Sequence, residues 1–359
     1  MKVTLSAAVF AILATVAAAQ GQFNAASFPP VNAVPPIDSP EVKEWLKDLD
    51  FADVPKFALH TGNPPACPAL AQIPADQCWW TCQTCPADDI ERCTAPGVWG
   101  LTFDDGPTPN TPLLLESLKA HNAKATFFVM GSNVIRNAEV LNQEVADGHH
   151  IASHTWSHHP LTTLSNEQIV AELKWTEKAV MDITGLHMKY MRPPYGDIDN
   201  RVRAVVKKLG YIVVDWTSDD YDSKDFNLNA GFTEATLSAA VTTMSNTLKA
   251  YGANPGTQGI ITLEHDLYPV TVEFAKRLLP VAAEAKLQIQ TIAQCLSDAH
   301  GYQGTPPPGK GDGSGNKTGD GDKGPSVVHP DSAGAASMVV SGGLMAAGLA
   351  IAGAAIAAL

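Results

Sequence analysis

Two adjacent carboxylates, Asp104 and Asp105, end the apolar run Val98 to Phe103 within Thr102-Phe103-Asp104-Asp105-Gly106-Pro107. Side chains alternate along an extended chain, and Gly-Pro turns the backbone, so the two acids point in different directions at a strand end. One can hold a metal ion while its neighbour stays free as a base. Downstream, His154 and His158 stand four residues apart in Ser153-His154-Thr155-Trp156-Ser157-His158, a spacing that places two imidazoles on one face of a helical turn. Asp105, His154 and His158 together form a three-ligand metal site, a number that leaves positions open for water and substrate. His149, His150 and His159 flank the pair and are read as surface or supporting residues.

Two further clusters lie at strand ends. In Arg192-Pro193-Pro194-Tyr195-Gly196-Asp197 the prolines make a rigid corner that can be neither helix nor central strand. An arginine fixed there can hold a carboxylate, Tyr195 can present its backbone N–H to an oxyanion, and Asp197 reads as a loop cap. In Leu263-Glu264-His265-Asp266, His265 is a candidate proton donor. Asp219, Asp220 and Asp222, which follow the apolar run ending at Trp216, are all candidates for tuning that imidazole.

The segments that must carry these groups alternate between strand and helix. Apolar runs at Val98 to Phe103, Ala125 to Met130, His150 to Ser153, Met188 to Met191, Tyr211 to Trp216, Gly259 to Leu263 and Gln288 to Ile292 predict about seven strands. The clearest helix, Asn166 to Thr184, starts with Ser165 and Gln168 in capping-box spacing and stops before Gly185. Other helices are expected at Pro112 to Ala120, Ala138 to Asp147, Asn200 to Leu209 and Thr233 to Tyr251. Regular β-α alternation implies a parallel sheet, and functional-looking residues at several strand ends suggest a barrel that is short of eight full units.

The chain has 359 residues, 45% hydrophobic and 17% charged, enough to bury a sizeable core. A net charge of -13 argues against nucleic acid and anionic lipid surfaces as partners. Lys2, the apolar stretch to Val16 and Ala17-Ala18-Ala19 read as a signal peptide over residues 1–19. A cysteine-rich extension follows over residues 20–96, then a catalytic domain over 97–297 and a Gly/Pro/Lys/Asp-rich linker over 298–334. Residues 335–359 form an uncharged tail, and Ser332, Ala333 and Gly334 before it are small-residue candidates for attachment of a GPI lipid anchor. Asn316 opens the one N-glycosylation sequon. Six cysteines behind a signal peptide predict disulfides. Five crowd between Cys67 and Cys93, so one of them is expected to pair with the distant Cys295.

TFDDGP, the His154/His158 pair, RPPYGD, the segment from Trp216 to Asp222 and LEHD occur in the order seen in polysaccharide deacetylases of carbohydrate esterase family 4. From about Gly97 to Leu296 the chain resembles that family and its NodB homology domain. The resemblance implies a distorted, incomplete (β/α) barrel with its active site at the C-terminal face and Zn²⁺, or Co²⁺ as a substitute, as cofactor. It also implies roles: Asp104 as general base, Asp105, His154 and His158 as metal ligands, and His265 as general acid. Arg192 would hold Asp104, Tyr195 would supply the oxyanion N–H, and Asp220 would pair with His265. Tyr221 stands where many relatives have a Trp beside the acetyl methyl. The cysteine-rich extension and GPI-like tail look like those of fungal chitin deacetylases, which implies release of acetate from chitin at the wall and outer membrane face; the sequence leaves the oligomeric state open, with a monomer as the expectation. Peptidoglycan, galactosaminoglycan or xylan is the alternative substrate, and a non-catalytic wall-binding protein the third reading.

Overall fold

A computed structural model describes residues 23–83 and 88–304. The expected signal peptide, Cys85, Asn316, the GPI candidates Ser332, Ala333 and Gly334, and the apolar tail lie outside the described residues.

Nine strands occur among the described residues: Val98–Gly100 (β1), Thr102–Asp104 (β2), Thr126–Val129 (β3), His150–Ser153 (β4), Tyr190–Met191 (β5), Ile212–Val213 (β6), Ile260–Ile261 (β7), Glu264–His265 (β8) and Gln288–Gln290 (β9). Helices Pro40–Leu46 (α1), Thr111–Ala120 (α2), Ala138–Ala146 (α3), Asn166–Thr184 (α4), Asn200–Lys208 (α5), Glu234–Ala253 (α6) and Pro269–Leu278 (α7) are joined by shorter helical turns. Strands pair in the order β6-β5-β4-β3-β2-β8 and, separately, β7-β1-β9. Every pairing between these strands is parallel. Among the described residues the result is an α/β fold with two sheets and no closed barrel.

The run from Val98 to Phe103 is thus two strands in two sheets, not one. Leu101 is the crossover: its N–H donates to Gln290 O of β9 and its carbonyl accepts from Thr126 N of β3. A parallel pattern breaks the chain from Gly259 to Asp266 into β7 and β8, which explains nine strands where the apolar runs predicted about seven. Alternation along each strand feeds two apolar layers. Phe103, Phe127 and Ile151 pack toward the helices in the main core. Val98, Phe128, Ala152, Tyr190, Val214 and Ile261 form a second core, which also contains Cys93 and Cys295.

Helix α4 begins and ends as its sequence predicts. Ser165 accepts from Gln168 N, the Gln168 side chain accepts from Ser165 N, and Gly185 takes the left-handed conformation at φ 77°. Disulfides join Cys67 to Cys82 and Cys93 to Cys295, the second across 202 residues. Cys93 is therefore the member of the cluster that reaches the far end of the β/α region.

Candidate active site

The C-terminal ends of β2, β4, β5 and β8 meet at a cleft of about 480 Å³ lined by Asp104, Asp105, His154, His158, Tyr195 and His265, among others. Asp104 is the last residue of β2 and is buried. Asp105 follows in the left-handed region at φ 76°, and its carbonyl accepts from the Asn133 side chain at 2.7 Å. That sharp turn sends the second carboxylate away from the first.

One ligand atom from each of Asp105, His154 and His158 lies within 4.8 Å of the others. Asp105 Oδ1 is 3.5 Å from His154 Nε2 and 3.2 Å from His158 Nε2. Although buried, Asp105 Oδ1 accepts no hydrogen bond, which suits an oxygen whose partner is a cation. His154 Nδ1 donates to the Arg192 carbonyl at 2.9 Å, which fixes the tautomer with Nε2 bare and aimed at the cleft. Burial pushes the His154 pKa down to about 3 and lowers that of His158, so both imidazoles are neutral as metal ligands must be. Burial would raise Asp105, but His158, His265 and His154 outweigh it and the carboxyl is lowered.

The two histidines do not share a helical turn. Residues 154–160 are a loop in which Thr155 and His158 both take left-handed φ, at 64° and 60°. Two reversals in five residues bring the imidazoles together, with ring centroids 4.9 Å apart.

Arg192 is fully buried, and four groups accept from its guanidinium: Asp104 Oδ1 at 2.8 Å, Thr102 Oγ1 at 2.7 Å, Val214 O at 3.1 Å and Asp215 O at 3.0 Å. Its Cζ also lies 4.2 Å from the centre of the Phe128 ring. Burial raises Asp104 while Arg192 opposes the rise, leaving a pKa of about 6. On the other side of the cleft, His265 Nδ1 meets Asp225 Oδ1 at 2.6 Å, and its backbone N–H donates to Asp225 Oδ2 at 3.0 Å. Burial opposes protonation of His265, but the Asp225 charge and hydrogen bond prevail and lift its pKa to about 10.

A base with a pKa near neutrality, a protonated acid and a three-ligand set thus open on one cleft, as hydrolysis of an amide or ester requires. The family model for polysaccharide deacetylases matches residues 91–214. Chitin deacetylase 1 of Saccharomyces cerevisiae is 38% identical over 266 residues, spanning 74% of this chain and 79% of its own. The chain belongs to the polysaccharide deacetylase family. Chitin deacetylase 1 of Cryptococcus neoformans is 42% identical over 281 residues, and there the match spans 76% of this chain but 59% of the relative's length. The chitin deacetylase structure from Colletotrichum lindemuthianum superposes with a TM-score of 0.55 at 33% identity, covering 61% of this chain and 97% of that one.

Within this deacetylase fold, two expectations need correction. Asp220 does not pair with His265: it is exposed and lines a separate surface pocket, and Asp222 faces the cleft while Asp225 occupies both polar contacts of the imidazole segment. The Asp219 side chain lies outside the described residues. The chain makes a short helical turn at Asp219–Tyr221 and a second at Asp225–Ala230, and only the second comes under β8. Tyr221 is not a wall of the cleft either; its ring packs edge-on against Tyr251. Phe226, next to the pairing acid, lines the cleft and sets its ring edge-on to His265, 5.6 Å away. Sequence reading passed over Asp225 and Phe226 because three nearer aspartates competed for the same role. No signal in the sequence separates Asp225-Phe226 from Asp220-Tyr221, which is also an acid followed by an aromatic.

The Tyr195 turn is braced from outside. Tyr195 and Gly196 take left-handed φ, at 62° and 63°. The cysteine-rich segment grips the turn through Trp79 Nε1 to Asp197 Oδ1, Thr81 Oγ1 to Gly196 O, and Trp80 N to Ile198 O. Asp197, read as a loop cap, does cap: it accepts from Thr162 N and Oγ1 as well as from Trp79.

Proposed function

We propose that this chain removes N-acetyl groups from chitin, leaving glucosamine units and releasing acetate, with a divalent cation, Zn²⁺ first among candidates, held by Asp105, His154 and His158. The observation that carries the reading is the placement of that ligand set between the Asp104–Arg192 pair and the His265–Asp225 pair in one cleft. Relatives named chitin deacetylases, matched over most of this chain, support chitin as the polymer. A cation bound there supplies Lewis-acid polarisation of the acetyl carbonyl and makes an attacking water more acidic.

The chain's own groups divide the rest of the work. Asp104, ionised and pinned through Oδ1 by Arg192, takes the proton of the attacking water. Tyr195, held in its left-handed turn, offers its backbone N–H to the oxygen that gains charge as water adds to the carbonyl. His265, protonated and oriented by Asp225, gives its proton to the departing amine as the C–N bond breaks. Water adds across the amide, acetate and a free amine leave, and the proton gained by Asp104 and that lost by His265 balance over the cycle. Phe226 and Tyr195, both partly exposed at the cleft, offer aromatic faces to a sugar ring.

Acetate release from chitin oligomers, peptidoglycan and acetylxylan tests the reading. Turnover on the chitin oligomers above the other two supports it, and release from peptidoglycan or acetylxylan alone overturns the choice of polymer. We also propose secretion and attachment to the outer face of the plasma membrane through a GPI lipid at Ser332, Ala333 or Gly334, supported by the composition of the chain's ends. Mass spectrometry of mature protein that finds residues 335–359 intact would exclude the anchor.

A further inference from the structure

The loop between the two histidines is gripped from three sides, and one of those sides is not part of the β/α domain. From below, Glu172 of α4 is fully buried and accepts from Trp156 N and Ser157 N, both at 2.8 Å, and from Ser157 Oγ. From the side, Ser132 Oγ donates to Trp156 O at 2.6 Å, and Gly131 permits the contact: a Cβ there would lie 2.4 Å from the Trp156 ring. From above comes the N-terminal arm. Phe28 stacks on the Trp156 ring at 6.0 Å and 10°, Pro30 O accepts from Trp156 Nε1 at 3.0 Å, and Asn32 N donates to Ser132 Oγ at 2.9 Å.

This grip encloses a strained backbone. Thr155 is β-branched and sits at φ 64°, a conformation such residues rarely adopt, and His158 follows at 60°. Conformations of this kind persist only where the surroundings over-determine them. Trp156, between the two, is the residue all three sides hold, and it is fully buried. Relaxing either residue to an ordinary φ would rotate the peptide planes that aim His154 and His158 at Asp105. We propose that the N-terminal arm, through Phe28 and Pro30 on Trp156, is a positioning element for the metal ligands, holding the loop in the strained form that brings the two imidazoles to one point. The inference rests on Asp105, His154 and His158 being the metal site.

Zn²⁺ binding by the full chain, stripped of metal and titrated against a chromophoric chelator well below the unfolding temperature, tests it. Phe28→Ala should weaken Zn²⁺ binding about 10- to 100-fold, as loss of a partner that orients a ligand typically does. Trp156→Phe, which keeps a ring but loses the bond to Pro30, should weaken it in the same direction with the fold intact by circular dichroism. Thr155→Gly should recover most of the affinity in the Phe28→Ala background, because glycine adopts the left-handed conformation without the arm's help. If Phe28→Ala lowers the melting temperature yet binds Zn²⁺ as the parent does, the arm is a stabilising strap only and the proposal falls. It falls equally if Thr155→Gly recovers nothing. A parent chain that binds no Zn²⁺, or a His154→Ala chain that binds as tightly as the parent, overturns the metal reading and this inference with it.

Discussion

At the residue scale, the proposed catalysis requires two buried groups to hold opposite protonation states over a common pH range. Asp104 titrates at about 6 and His265 at about 10, so between those values the base is ionised and the acid protonated. A bound cation favours the Asp104 carboxylate further and extends the range on its acid side. In Asp225→Asn, His265 loses the largest of the charges that raise its pKa, and the burial that lowers it is opposed only by Asp105 and Asp104. The alkaline limb of kcat/KM should therefore move to lower pH, while Asp220→Asn should leave it in place. The opposite pattern would return the pairing to Asp220. Asp104→Asn should keep Zn²⁺ and lose roughly 10²- to 10⁴-fold in turnover, the range a general base contributes. The sequence showed Asp104, Asp105, His154, His158, Arg192 and His265 because each sits in a short motif at a strand end. Asp225 was hidden among four other aspartates between residues 215 and 222, and the helical turns that decide which of them reaches β8 leave no mark in composition.

At the scale of elements, strands, helices and caps follow local patterns, whereas the loops that build the site follow tertiary packing. The capping box and Gly185 of α4 are examples of the first kind. The His154 to His158 loop belongs to the second: a four-residue spacing reads as a helical turn, but Glu172, distant in sequence, holds its N–H groups away from helical partners. The split of Val98 to Asp104 into two strands has the same origin, since Leu101 looks like any apolar strand residue until β9 and β3 compete for its two backbone groups. The Tyr195 turn is the element most exposed to a single change. An alanine at Gly196 would bring a Cβ to 2.5 Å from Trp80 at φ 63°. Gly196→Ala should cost about 1–3 kcal/mol, as a strained left-handed residue does, read from the urea midpoint. It should also lower kcat with Zn²⁺ content unchanged, because the turn aims Tyr195 and carries no ligand. Parent-like stability and turnover would show that the turn tolerates the shift.

At the scale of the whole molecule, a parallel α/β framework brings strand ends together, and the N-terminal extension packs against two of the loops that form the site. Cys93–Cys295 joins the two ends of the β/α region, Trp79 and Trp80 brace the Tyr195 turn, and Phe28 covers the metal loop. The disulfide was foreseeable from one cysteine standing far from five, but the packing of aromatics from the extension against site loops was not, because no periodicity links segments so distant in sequence. The central proposal is that Asp105, His154 and His158, whose ligand atoms lie within 4.8 Å of one another, hold a catalytic cation. The direct measurement is acetate release from chitin oligomers by the chelator-stripped chain as Zn²⁺ is titrated back. Activity should vanish on stripping and return in proportion to bound Zn²⁺, reaching its full value at about one equivalent per chain, the stoichiometry of a single three-ligand site. Full acetate release from the metal-free chain would contradict the account.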